Sequence, residues 1–485
     1  MPINPSTIKT PIDPTDLRFK PMLQKLQGNI LKSHGRDYAT HIFFRFTGDQ
    51  AAARRLVGSL SKLVTSAAEQ KAQAAAHKAH GTEALFGALM LSAKGLKHLG
   101  FPLPPAFGDA KLAPATSVPV SFAQPMKAAA RVLGDDPGIW DKGYQAGDID
   151  GVLLLAAGQA MAPFDADAIP TALLDAAKSA QDSMAGLADV AAFELGQQQR
   201  RGDDAVEHFG FVDGISQPIM TTPDLPASAD RTENVPSAGL NLALVKDPFA
   251  NDADACGSFY VFRKLEQNVR AVRDAEAKLA ADLGNISKGL AGAMMVGRFQ
   301  NGTPVVLANQ PQAALARMNN FSYAIDAARP PAFPAKCPFH GHIRKTNPRG
   351  DIERQFGGGA ATSENERMRR LVRRGITYGA RDNDLADEPT GGVGLLFQCY
   401  QSSIADQFAF MQEQWVNSVN FVRPAGTGQD TVIGQGVRTT KQKWPDPWGS
   451  NTTKTLPDIG QTVFNRGGEF FWAPSMTFLE RLRTA

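Results

Sequence analysis

The sequence predicts an α+β protein made of two successive units, each a layer of strands with flanking helices. A chain of 485 residues is too long for one small hydrophobic core, so two domains are expected. Short apolar segments alternate with helical stretches in both halves, with helices and hairpins between the strands. This pattern fits two α+β sandwiches better than one parallel sheet.

The first half opens with residues 1–25, which are rich in Pro, Thr and Asp and predict an extended N-terminal arm. The composition then predicts these elements in order: strand 41–46, helical stretch 51–80 closed by Gly81, strand 82–93, short helix 94–100, strand 148–158 and helix 169–187.

The second half repeats this rhythm after a Pro-, Ser- and Asp-rich stretch near 220–245. We therefore place an N-terminal domain at 26–225 and a C-terminal domain at 226–485. The predicted elements of the second domain are strand 257–265, helix 267–284, strand 293–299, helices 361–375 and 403–419, and strand 467–475.

Composition excludes several classes of protein. A net charge of +3 gives no field of one sign for nucleic acid or an anionic membrane. Three widely separated cysteines cannot form a disulfide framework and indicate a reducing compartment. No secretory signal or run long enough to span a bilayer is visible, so a cytoplasmic protein is expected, with its oligomeric state left open.

The stretch CPFHGHIRKTNPRG, residues 337–350, gathers Cys337, His340 and His342. Their spacing resembles half of a zinc site, which would predict a colourless structural zinc protein. A closed zinc site needs four ligands, and no second Cys/His cluster exists. The plainer alternative is that Cys337 is a small buried apolar residue and one histidine caps a loop.

Three cations follow these histidines directly, at Arg344, Lys345 and Arg349. They do not suit a zinc site. They do suit haem, whose iron needs one neutral imidazole and whose two propionates are matched by guanidinium groups.

Two further stretches contain candidate site residues. In EHFGFVDGISQP (207–218), Asp213 stands between glycines, where the backbone can approach a flat group; the alternative is an Asp that closes an Asx turn. LVRRGITYG (371–379) is predicted to end a basic helix. Arg373 and Arg374 would differ by about 100° around that helix, so only one could point inward, and either alone would usually be a surface charge.

The chain resembles the dye-decolourising peroxidases in the order of six stretches: LQGNILKSHGRD, GFVDGISQP, CPFHGHIRKTNPRGD, RRGITYG, GLLFQCYQSSIADQFAFMQEQWVN and GGEFFWAPS. The resemblance runs from about residue 26 to 475. It implies two ferredoxin-like domains, with one haem b per chain held in the second domain near the interface. It also implies an H2O2-dependent oxidoreductase that oxidises bulky aromatic donors, such as anthraquinone and azo dyes and phenols, through compound I.

The same resemblance assigns roles by position. His342 matches the proximal iron ligand, Asp213 the distal acid that shuttles a proton, and Arg373 the distal arginine that binds peroxide and stabilises charge. Arg344 matches a partner of a haem propionate. Asp430 is expected to accept from the proximal imidazole.

Other positions match less tightly. Asp406 is the fallback for the proximal acid, and the cavity-lining candidates are Leu395, Phe397, Ile215 and Phe421. The insertion QFGGGAATSEN lies between the histidine and the distal arginine. A shift of one helical turn there would bring Arg370 rather than Arg373 into the pocket.

Tyr378 and Trp415 match possible electron-relay positions of the family, although both also fit as core aromatics. An unperturbed Asp titrates near ~3.9, so a distal Asp predicts activity that persists at acidic pH. A haem-handling protein with incidental peroxidase activity is the alternative, and it would have no need of an Asp with an Arg on the distal side.

Overall fold

A computed structural model describes residues 4–105, 107, 120–158, 169–324, 335–381, 385–423, 427–450 and 452–483. Ten strands of the described residues form one antiparallel sheet, and helices pack around it, which confirms the α+β class. No helix in the described ranges is long and apolar enough to cross a bilayer.

The sheet consists of two halves. Its strands are β1 (Tyr38–Phe46), β2 (Phe86–Leu91), β3 (Gly151–Ala157), β4 (Ala188–Gln197), β7 (Val245–Lys246), β8 (Cys256–Gln267), β9 (Val372–Arg373), β10 (Ile376–Tyr378), β11 (Gly394–Gln401) and β14 (Val463–Ala473). The N-terminal half has the order β2–β3–β1–β4, and the C-terminal half has the order β10–β11–β8–β14. In the C-terminal half, β7 also pairs with β8, and β9 also pairs with β11. Two short hairpins lie outside this sheet: β5 (Arg200–Arg201) with β6 (Asp204–Ala205), and β12 (Lys441–Pro445) with β13 (Thr453–Pro457).

The two halves meet through one residue pair, Trp472 of β14 and Leu91 of β2. The outer strands of the two halves, β10 and β4, also approach each other. Between them, the Thr377 hydroxyl donates to the Gln197 carbonyl oxygen and accepts from the Gln199 N–H. Two halves of one sheet, with four main strands each, are consistent with two ferredoxin-like units.

The helices cover the faces of this sheet. They are α1 (Lys20–Lys25), α2 (Gln50–Leu60), α3 (Ala67–His80), α4 (Ala93–His98), α5 (Met126–Leu133), α6 (Lys142–Gln145), α7 (Thr171–Met184), α8 (Val269–Asp282), α9 (Lys288–Val296), α10 (His342–Thr346), α11 (Asp351–Phe356), α12 (Gly359–Met368) and α13 (Met476–Arg483). Two wide turns of π-helix, Ile404–Ala409 and Met411–Val416, occupy the region predicted as helix 403–419.

Three predictions from the sequence are corrected. The N-terminal arm is partly helical and packed rather than extended, since Ile12 and Met22 are buried and Ile12 forms a bridge with Thr221. The predicted strand 293–299 is mostly helix α9. The predicted helix 361–375 ends at Met368, and strand β9 begins four residues later.

Candidate active site

One cavity lies beside the C-terminal half of the sheet. The residues that line it fall between Glu207 and Val463. They come from the loop 207–218, from α10 and the turn after it, from residues 370–375, from β8 and β11, and from the π-helical segment and the loop that follows it. The predicted residues Asp213, His342 and Arg373 all line this cavity.

His342 is the first residue of α10, and its imidazole is held by Asp430. The two side chains are joined by a 2.9 Å hydrogen bond from Nδ1 to Oδ2. The other carboxylate oxygen of Asp430 accepts from the backbone N–H groups of Val432 and Ile433. Because Nδ1–H donates to Asp430, the lone pair of His342 lies on Nε2.

Asp430 is fully buried yet suited to remain ionised. Burial raises the pKa of this carboxyl, but the attraction and hydrogen bond of His342, with two backbone N–H groups, outweigh burial and lower the pKa below its ordinary value. Asp406, the fallback for this role, instead lies beside Arg369 and does not line the cavity.

The loop around Asp213 depends on glycine and on Glu207. Gly210 and Gly214 adopt positive φ angles of 86° and 77°, which favour glycine. The half-buried carboxylate of Glu207 accepts from the N–H groups of Phe209 and Phe211 at 2.9 Å. These contacts fix the backbone that presents the Asp213 side chain.

Arg373 reaches the same loop from strand β9. Its Nη1 lies 3.5 Å from Oδ1 of Asp213, and its Nη2 donates to the Ser216 carbonyl oxygen at 3.2 Å. Arg374 points away from the cavity and donates to the carbonyl oxygen of Asn29. Only one of the two arginines faces the cavity, as predicted. Their side chains point in different directions because successive residues of an extended chain alternate, and not because of rotation around a helix.

Arg370 does not take the distal position. Its guanidinium donates to the carbonyl oxygens of Val235 and Ser237 at 2.9 Å each, at another part of the cavity wall. The insertion before Arg373 therefore causes no exchange of the two residues.

Arg344 does not line the cavity, so the structure gives no support to its predicted role as a propionate partner. It is buried, and it donates to Asp351 through Nε and to the Cys337 carbonyl oxygen through Nη1, both at 2.6 Å. It lies two residues after His342 in a helix, about 200° around the axis, and so on the opposite face.

Two other buried arginines line the cavity instead. Arg298 and Arg349 donate to carbonyl and amide oxygens of the segment 302–321, and among the described residues neither forms an ion pair. Burial, together with the nearby Arg349, lowers the pKa of Arg298 to about 9. Two adjacent buried cations without a carboxylate are costly, so this corner fits an anionic group.

The zinc alternative does not fit the structure. In the described part of the chain, no group of three or more His, Cys, Asp or Glu side chains could hold a metal ion. His340 is fully buried with its ring edge-on to Trp444, at 4.4 Å between centroids, and burial lowers its pKa to about 3. Burial raises the pKa of the Cys337 thiol to about 12.

The predicted apolar wall is largely present. Ile215, Leu395 and Phe397 line the cavity. Phe421 does not, and it stacks on Trp415 with the ring centroids 5.1 Å apart.

Tyr378 also lies outside the cavity lining, on β10. Its ring lies beneath the Lys264 ammonium at 5.2 Å, and its buried hydroxyl has no hydrogen-bond partner among the described residues.

Comparison with known proteins identifies the family. The chain is 41% identical over 484 residues to the multifunctional dye peroxidase DyP2 of an Amycolatopsis species, covering 95% of this chain and 96% of that protein. The chain belongs to the dye-decolourising peroxidase family. It is also 30% identical over 488 residues to the dye-decolorizing peroxidase msp1 of Mycetinis scorodonius, covering 94% and 86% of the two chains. No family model matches the chain.

Solved structures agree with this assignment. A DyP-type peroxidase from Anabaena superimposes with a TM-score of 0.85 at 37% identity, covering 97% of both chains. DyP2 from Amycolatopsis superimposes with a TM-score of 0.83 at 36% identity, covering 99% of this chain and 100% of the other. The protein is therefore a peroxidase of the dye-decolourising type, an oxidoreductase from a family of haem enzymes.

Some cavity residues were not found from the sequence. Arg298 follows α9 in a stretch predicted as strand, and a single arginine in an apolar run gave no signal. Arg263 of β8 also lines the cavity and forms a buried ion pair with Asp135, 128 residues away in sequence. Such a pairing has no local pattern.

Proposed function

We propose that this chain binds one haem b in the described cavity and uses it to reduce H2O2 while oxidising bulky aromatic donors, among them anthraquinone and azo dyes and phenols. The observation that carries this proposal is the Asp213–Arg373 pair in the same cavity as the Asp430-oriented imidazole of His342.

The residues of the cavity fit such a group. His342 would ligate the iron through Nε2, since Nδ1 is engaged by Asp430. Arg298 and Arg349, the two buried cations without an acid, would hold the propionates, a role we move from Arg344. Ile215, Leu395 and Phe397 would contact the apolar ring. The group would supply an iron that accepts the peroxide and passes its oxidising equivalents to donors.

The distal residues would supply the proton chemistry. The carboxylate of Asp213 takes a proton from one peroxide oxygen and returns it to the other, so that the O–O bond breaks heterolytically. The Arg373 guanidinium holds the negative charge that develops on the departing oxygen. A haem carrier would have no use for this pair, which favours the peroxidase over a haem-handling role.

The two relay candidates differ in chemistry. A tyrosine must release its phenolic proton when it is oxidised, and no described residue accepts a hydrogen bond from the Tyr378 hydroxyl. The Lys264 ammonium above its ring also opposes added positive charge. Trp415 lies next to the cavity-lining Val416 and stacks on the half-buried Phe421. We therefore keep Trp415 as the relay candidate and consider Tyr378 a core residue.

Reconstitution with hemin tests the proposal. The purified chain should show a strong Soret band, and stopped-flow mixing with H2O2 should change that band far faster than it changes the band of free hemin. A His342→Ala chain serves as the control for specific ligation. A colourless protein after reconstitution, or a peroxide reaction no faster than that of free hemin, would contradict the proposal.

A further inference from the structure

Residues 227–237 run along one side of the cavity near the protein surface, and we name them the mouth strap. Asn234 and Pro236 of this strap line the cavity, whereas Glu233 and Val235 beside them are exposed. The strap is thus a place where the cavity meets the surface.

The strap has little apolar packing to hold it. From residue 227 to residue 235 no side chain is buried, and Val235 is 45% exposed. Its regular structure is one 3-10 turn, Ser228–Arg231, and one β-bridge between Ser237 and Ile219 at its C-terminal end. A segment with few buried apolar contacts opens at a low free-energy cost unless polar contacts hold it closed.

Two side chains from other elements make those polar contacts. Arg370 donates to the carbonyl oxygens of Val235 and Ser237, and its Nε is itself fixed by the Arg367 carbonyl oxygen at 3.0 Å. A planar guanidinium with three bonds is a well-defined anchor.

Asn320 forms the second anchor from the opposite side. Its Oδ1 accepts from the N–H groups of Glu233 and Asn234 at 2.8 and 3.2 Å, and its Nδ2 donates to the Ala229 carbonyl oxygen and the Thr232 hydroxyl. One side chain thereby makes four contacts with the strap.

We propose that the mouth strap sets the size of electron donor that reaches the cavity, and that Arg370 and Asn320 are the specificity-determining residues that keep it closed. This inference rests on the proposed function, because it concerns donors that react at the bound haem. Neither residue contacts Asp213, Arg373 or His342 in the structure, so the reaction with peroxide is independent of the strap.

The test uses the haem-loaded enzyme with Asn320→Ala and Arg370→Gln. The ratio of kcat/KM for a sulfonated anthraquinone dye to that for phenol should rise about threefold or more in each variant. The rate of reaction with H2O2 should stay at the wild-type value in Asn320→Ala, because the Asn320 side chain does not line the cavity. Matched controls are Asn365→Ala and Arg367→Gln, whose side chains do not contact the strap, and both should keep the wild-type ratio.

A second readout does not depend on activity. Arg231 lies in the strap, so trypsin cleavage after it reports opening. Loss of the anchoring hydrogen bonds should raise the cleavage rate about fivefold, because cleavage follows the population of the open form. Cleavage after Arg231 at the wild-type rate in both variants would overturn the anchoring role.

The dye ratio decides the functional role separately. An unchanged ratio in variants whose strap is cleaved faster would overturn the gating role and leave the peroxidase assignment intact. A wild-type protein that fails to bind hemin or to react with peroxide would instead overturn the proposed function. The two failures are therefore distinguishable.

Discussion

The Arg373 guanidinium lies 3.5 Å from the carboxylate of Asp213, and each side chain is about one-third exposed. The pair joins strand β9 to the loop after β6, across 160 residues of sequence. A loose contact of this kind leaves both groups able to bind a small polar molecule between or beside them, whereas a tight bidentate pair would satisfy each with the other.

Replacing Asp213 with Asn should slow the reaction with H2O2 by about a hundred- to ten-thousand-fold, because the amide cannot accept the peroxide proton. Arg373→Met should slow it by about a hundred- to a thousand-fold, because the developing charge loses its partner. Stopped-flow rates at the Soret band measure both effects. A Soret band of wild-type intensity in each variant is the control for haem loading, and wild-type peroxide rates would remove both residues from the mechanism.

Asp430→Asn should raise the reduction potential of the bound iron, since the His342 imidazole loses its anionic acceptor and donates less electron density. Haem affinity or activity should fall about 10- to 100-fold. Potentiometric titration followed in the visible spectrum measures the change. Asp406→Asn, at the rejected position, should leave the potential unchanged, and a shift in that variant but not at Asp430 would reverse the assignment.

Arg349→Met should weaken hemin binding, since one buried cation of the propionate corner is lost. Arg344→Met should chiefly lower the free energy of unfolding, by about 1.5–3 kcal/mol, because Asp351 loses one of its two arginine partners and keeps Arg354. Hemin titration and urea unfolding of the apoprotein separate the two effects. The reverse pattern would return Arg344 to the haem site.

Trp415→Phe should reduce turnover of a large dye and leave turnover of phenol near the wild-type value, whereas Tyr378→Phe should change neither. The physical reason is that Tyr378 has no acceptor for its proton within the described part of the chain. Steady-state kinetics with both donors measure the outcome. Unchanged dye turnover in Trp415→Phe would exclude the relay and leave Trp415 as a core aromatic.

Glu469 predicts a pH dependence of stability. Burial raises its pKa to about 8, so the folded chain keeps a proton that the unfolded chain has released, and stability falls between about pH 4.5 and 8. In Glu469→Gln, the free energy of unfolding should therefore fall less steeply with pH over this range, by up to about 1.4 kcal/mol per pH unit. Urea unfolding at several pH values measures it, with the exposed Glu480→Gln as control. Parallel pH profiles for wild type and Glu469→Gln would refute the prediction.

Local motifs were enough to predict the chemistry of the site but not its full set of residues. His342, Asp213 and Arg373 lie in recognisable stretches and line the cavity as predicted. Arg344 does not line the cavity, because the direction of a side chain depends on which face of α10 is turned to the cavity. Arg349 belongs to the basic stretch that the sequence matched to haem, whereas Arg298 stands out only when its lack of an acid partner among the described residues is visible in three dimensions.

The errors in secondary structure have a common cause. Helix α9 is almost entirely buried, so it lacks the polar face that gives a helix its period, and an apolar run of that kind is indistinguishable from a strand. The stretch after Met368 carries strong helix formers, yet β9 pairs with Cys399 and Tyr400 of β11. Tertiary pairing there overrides local propensity.

The described wall of the cavity comes entirely from residues 207–463, whereas the first sheet half contributes to the shared hydrophobic core, for example where Phe43 packs against Phe262 with the ring centroids 4.7 Å apart. Chimeras that exchange residues 38–197 between relatives should therefore keep their donor preference and differ mainly in heat tolerance. Substitutions in residues 38–197 should therefore change the thermal stability of the protein without changing the reaction at the cavity.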